Sequence, residues 1–108
     1  MELPKTLKIG GLIYQVLCDP QYQPYLDDES AWALSNRKFR KIYFDPLSDV
    51  AQRKSTLVHE VLHAARYLSG HELSDFSDEE RIVKSLAISL YTIIVDNPDI
   101  LHYLLANE

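Results

Sequence analysis

Two short runs of alternating apolar and polar residues open the chain. Leu7 and Ile9 alternate with Thr6 and Lys8, and Leu12 to Leu17 is apolar except at Gln15. Between them stands Gly10-Gly11, a pair that takes the positive φ of a tight turn without a Cβ clash, so the stretch predicts a β-hairpin. From Asp19 to Glu29 the pattern lapses. Pro20, Pro24 and the acidic Asp27-Asp28-Glu29 predict a loop, with Tyr22 and Tyr25 anchoring it. Ala31 to Ser35 and Phe39 to Phe44 read as a second strand pair around the basic turn Asn36-Arg37-Lys38. Arg40 and Lys41 leave the alternation of that second strand imperfect.

After Asp45-Pro46 the period changes to that of a helix. Ser48 or Asp49 can cap a helix running to about Ser69, with Gly70 as its stop. Leu57, Val58, Val61, Leu62, Ala65 and Leu68 make it a buried one. A polar connector, 71–76, leads to a second helix from about Asp78 to Asp96, whose apolar stripe is Val83, Leu86, Ala87, Leu90 and Ile94. Asn97 as cap and Pro98 in the first turn start a third helix, and Ile100, Leu101, Leu104 and Leu105 are expected to pack it back. The pattern as a whole predicts one α+β domain over 1–108. A small N-terminal sheet of three or four strands, antiparallel or mixed, precedes two core helices and a short last one.

Composition narrows the partners. At 108 residues the chain can bury one core and not a second. A net charge of -5 opposes general nucleic-acid binding, which needs an electropositive face. The cluster Arg37, Lys38, Arg40, Lys41 reads as a solvated hairpin tip. Cys18 is the single cysteine, so no disulfide forms within the chain and a reducing compartment is expected. MELPKTLKIGG has no apolar leader, and no stretch reaches the length of a membrane span. The expectation is a cytoplasmic protein with neither nucleic acid nor membrane as partner; the oligomeric state is not legible.

The chemistry lies in the first long helix. His59-Glu60-Val61-Leu62-His63 places two imidazoles one turn apart on one face, where both can aim at one divalent ion, with Glu60 beside them. Two histidines and a glutamate in so apolar a segment are costly to desolvate unless something satisfies them, and a metal would. The plain alternative is a helix with two hydrogen-bonded histidines and a surface glutamate. A catalytic site needs a third protein ligand. His71 is eight residues past His63, and His102 lies in the last helix. Glu79 and Glu80, on the two edges of the inward stripe of the second helix, are better placed. Ser77-Asp78-Glu79-Glu80 also reads as a capping box, in which Glu80 would bond back to the backbone of Ser77.

HEVLH, a connector, and then Glu80 spaced before Val83, Leu86, Ala87 and Leu90 resembles the small gluzincin-type zinc metallopeptidases. The chain is similar to the ImmA/IrrE-like group and to compact HExxH proteins of phages and prophages. The likeness extends to the opening LPKTLKIGG and the closing Asp96-Asn97-Pro98, though only the HExxH and the downstream glutamate are specific. Leu62 stands where that group often has glycine. The resemblance implies a zincin-like domain with one zinc ion held by His59, His63 and Glu80. It implies Glu60 as general base and a peptide or protein substrate. It also implies an edge strand that pairs with extended substrate, for which Lys41 to Asp45 is the natural choice. Tyr67, Tyr91 and His71 are candidate oxyanion donors, and Asp96 or another carboxylate would orient a ligand histidine. Two other functions stay open: a zinc-binding or inactive zincin-fold interaction module of phage or prophage origin, and a zinc hydrolase of a non-peptide bond.

Overall fold

The computed structural model describes residues 2–68 and 76–106. Strands β1 (Thr6–Ile9) and β2 (Leu12–Leu17) form the expected antiparallel hairpin, with Gly10 at φ 60° and Gly11 at φ 84°. Both glycines take the conformation that a Cβ would strain.

The segment expected to be a loop instead folds into a 3-10 turn (Pro20–Tyr22) and a short helix, α1 (Gln23–Asp28). The prolines that argued against structure sit in the first turns, where a missing N–H leaves no helical bond unmade. Leu26 is fully buried and pins α1 to the body. Tyr22 and Tyr25 do anchor the segment, with ring centroids 4.7 and 6.0 Å from that of Tyr43.

Strands β3 (Ala33–Asn36) and β4 (Lys41–Phe44) pair antiparallel, and the Asn36 side-chain oxygen accepts the Phe39 N–H at 3.1 Å in the turn between them. β4 also pairs parallel with β2, so the sheet order is β1-β2-β4-β3. This corrects one expectation. Lys41 to Asp45 contributes an interior strand with neighbours on both sides; the edge nearest it is β3. The physical reason is the crossover. β4 pairs with β2 on one side and β3 on the other, and its alternating burial, with Ile42 and Phe44 fully buried, turns one face of the strand to the core. With Tyr14 these two form the core of the sheet. Phe44→Ala is expected to cost about 3–5 kcal/mol of stability, read as a shift in the urea midpoint at unchanged slope.

The link into the first long helix is tied tightly. Asp45 accepts the Leu47 N–H through its side chain at 2.8 Å, Ser48 Oγ donates to the Asp45 carbonyl at 2.6 Å, and Arg53 donates to the carbonyls of Pro46 and Ser48 at 3.1 and 2.7 Å. Helix α2 (Val50–Leu68) is capped by Asp49, whose carboxylate accepts the Gln52 N–H at 2.7 Å. Gly70, the expected stop, and His71 fall outside the described residues. Helix α3 (Phe76–Asp96) starts two residues earlier than expected and packs along α2, burying Val83 and Ala87.

The C-terminal helix α4 (Asp99–Leu105) forms but does not pack back: Ile100, Leu101, Leu104 and Leu105 are all exposed. Asn97 does not cap it either. Its side-chain amide donates to the Ile93 carbonyl at 2.9 Å, closing the end of α3 instead. No helix among the described residues is long and apolar enough to cross a membrane.

Candidate metal centre

Because α2 leaves β4 through a fixed turn, its inward face is set against the sheet and α3. On that face Glu60 and His63 are buried, with His59 partly so. Ala64, one residue past His63, is also buried, which holds this stretch against its neighbours. From the facing helix, Glu80 arrives in the first turns of α3. Its two carboxylate oxygens lie 2.9 Å from His59 Nε2 and 2.9 Å from His63 Nε2. The two Nε2 atoms are themselves 3.1 Å apart.

This donor set fits a metal ion. Two imidazole nitrogens and a carboxylate converge on one point, and their mutual separations approach the edge of a tetrahedron, about 3.3 Å for metal–nitrogen bonds of about 2.0–2.1 Å. The tautomers point the same way. If each neutral imidazole gave its Nε2–H to Glu80, the two hydrogens would crowd each other across 3.1 Å. His63 Nδ1 would then turn a lone pair on Glu79 Oε2, 3.5 Å away. A cation held at both Nε2 atoms removes both conflicts, because His63 Nδ1 then carries the proton and donates towards Glu79. His59, His63 and Glu80 form the group that could hold an ion among the described residues.

Glu79 and Glu80 thus have different positions: Glu80 reaches both Nε2 atoms, and Glu79 the far nitrogen of His63. The capping-box alternative loses its register, because Ser77 lies inside α3 rather than at its cap. Asp96 cannot orient a ligand histidine. It ends α3, about 24 Å along the axis from Glu80 at 1.5 Å per residue. Glu79, and not Asp96, is the carboxylate that stands behind a histidine of this group.

Glu60 has a partner that the sequence did not single out. Ser35 Oγ, on β3, donates to Glu60 Oε2 at 2.6 Å. The only signal for Ser35 was its place in a predicted strand; the pairing needs the sheet order, which puts β3 at the edge beside α2.

A groove of about 1040 Å³ runs over these residues. One wall is β3 with Trp32, another is the face of α2 carrying Gln52, Thr56 and His59, and the third is α3 from Glu80 through Lys84 to Ile88. Of the expected oxyanion donors, Tyr67 lies under the Arg37 guanidinium at 4.5 Å, exposed, and neither it nor Tyr91 lines the groove. Arg37, Gln52 and Lys84 do. His102 is exposed on α4 and neither joins the donor group nor lines the groove. Cys18 is no part of the site, and burial pushes its thiol up from its ordinary value, which leaves it protonated and a poor nucleophile. Comparison with known protein families, curated proteins and solved structures finds no match.

Proposed function

We propose that the chain is a metal-dependent peptidase in which His59, His63 and Glu80 hold one zinc ion and Glu60 is the general base. The observation that carries this is the meeting of two Nε2 atoms and one carboxylate within 2.9–3.1 Å, beside a buried glutamate that opens on a groove. Zinc is the ion that best suits a set of two imidazoles and one carboxylate, and it would supply a Lewis acid and water of lowered pKa.

The chain's own residues would do the rest. Glu60 takes the proton of the attacking water as its oxygen closes on the peptide carbonyl carbon. It then gives that proton to the amine nitrogen as the C–N bond breaks. Ser35 holds the Glu60 carboxylate in one rotamer through the 2.6 Å bond. Glu79 fixes the ring of His63 from behind. The peptide lies along β3, an edge strand whose residues Ala33 to Asn36 line the groove. Strand addition there supplies main-chain hydrogen bonds with weak sequence selection.

Elemental analysis of protein purified without chelator is expected to give one zinc per chain, and a peptide library is expected to be cleaved. Stoichiometric zinc without cleavage would make the chain a zinc-binding module instead; cleavage of esters or other amides alone would move the reaction to a non-peptide bond. Ser35→Ala is expected to lower kcat about tenfold with zinc content and KM little changed, since a hydrogen bond to a charged group is worth about 1.5–3 kcal/mol.

A further inference from the structure

The C-terminal end of α3 and all of α4 carry an apolar surface that nothing in the described chain covers. At about 100° per residue, Leu86, Leu90 and Ile93 fall on one stripe of α3, and Ile88, which lines the groove, falls on the opposite side. Leu101, Leu104 and Leu105 follow on α4, with only Asn97 and Pro98 between the helices. Leu104 is 68% and Leu105 78% exposed. The chain's own core is small by contrast: among the described residues seven apolar side chains are buried, against eighteen large ones exposed.

We infer that this surface is the contact face of a symmetric homodimer, with the α3–α4 end of one chain seated on that of a second copy. Three observations select this occupant. The six residues on this side, Leu86, Leu90, Ile93, Leu101, Leu104 and Leu105, offer on the order of 600 Å² per chain, the lower end of what each partner contributes to a specific complex and the scale of one that dissociates on dilution. From Ser85 to Ala106 there is no lysine or arginine, and the acids are Asp96 and Asp99. A helix pair without lysine or arginine, with His102 as its one basic side chain, has little attraction for an anionic membrane surface or for nucleic acid. An almost uncharged apolar face is self-complementary: a two-fold axis brings it onto itself without opposing like charges across its centre. The groove lies on the other side of α3, so the dimer leaves it open.

The proposal is independent of the metal. Sedimentation velocity of the full chain across about two decades of concentration is expected to show a species of twice 12.5 kDa that dissociates on dilution. Leu104→Glu is expected to raise the dimer Kd by roughly 100-fold or more, because a carboxylate would be desolvated inside an apolar contact. Leu47→Glu, at an exposed position far along the chain from α4, is expected to leave the mass distribution unchanged. Should Leu104→Glu fail to fold, the wild-type Tm still reports: it rises with protein concentration if folding and dimerisation are linked, and stays constant for a monomer. A monomer at every concentration with a constant Tm would overturn the inference. So would a dimer mass unaffected by Leu104→Glu, or a monomer that instead binds neutral phosphatidylcholine vesicles.

Discussion

Glu60→Gln is expected to lower kcat for peptide hydrolysis by about 10²–10⁴-fold, the usual contribution of a positioned acid–base group, while zinc content stays at one per chain. The substitution is nearly isosteric. The glutamine oxygen can still accept from Ser35 Oγ, so the 2.6 Å contact and the packing around it survive. What is lost is the proton acceptor. Glu60 is 7% exposed, and Ser35 is the hydrogen-bond partner found for it among the described residues. Removing its charge therefore relieves desolvation and should leave Tm equal or higher. A variant that is inactive and more stable would separate chemistry from folding. Activity at the wild-type level in Glu60→Gln would remove Glu60 as the base and with it the proposed mechanism.

The second large effect concerns the ion itself. His63→Ala and Glu80→Gln are each expected to weaken zinc binding by about 100-fold or more, beyond the 10–100-fold typical of residues behind the ligands. Glu79→Gln should fall within that smaller range, since its carboxylate touches His63 Nδ1 at 3.5 Å and reaches no convergent donor. The contrast between Glu79 and Glu80, measured by competition with a chromogenic chelator, tests the assignment more sharply than either variant alone. Metal removal adds a thermodynamic reading. A ligand that binds only the folded chain stabilises it by RT ln(1 + [L]/Kd), so a chelator should lower the wild-type Tm and leave that of His63→Ala unmoved. Equal zinc affinity in wild type and Glu80→Gln would dissolve the three-ligand site.

Local chemistry carried much of the fold into view. Gly10-Gly11 marked the first hairpin because only such a pair relaxes at two successive positive φ values, and the structure bends there. Asp49 was one of two stated caps and is the one used. The period of α3 gave Val83, Leu86, Ala87, Leu90 and Ile94 as the inward stripe; Val83 and Ala87 are buried and Ile94 partly so, while Leu86 and Leu90 are exposed. What stayed hidden was non-local. No residue near β4 says that β2 will lie beside it, and that pairing alone moves the edge of the sheet to β3. Ser35 was invisible for the same reason, because its partner lies twenty-five residues on and on another element. At the other end, apolar residues at helical spacing in α4 were read as facing this chain's core. Periodicity tells which side of a helix is greasy; it does not tell whose surface the grease will meet.

The antiparallel pairing of β3 with β4 has a further consequence, for assembly. Side chains along a strand alternate faces, so a slip of β3 against β4 by a single position would send Ser35 to the opposite side of the sheet. The same slip would leave Asn36 unable to close the hairpin turn it now closes. Correct alignment of two short strands is thus read out chemically, by whether a hydroxyl arrives at Glu60. A misaligned molecule could keep its helices, and even its imidazoles, and still be chemically silent.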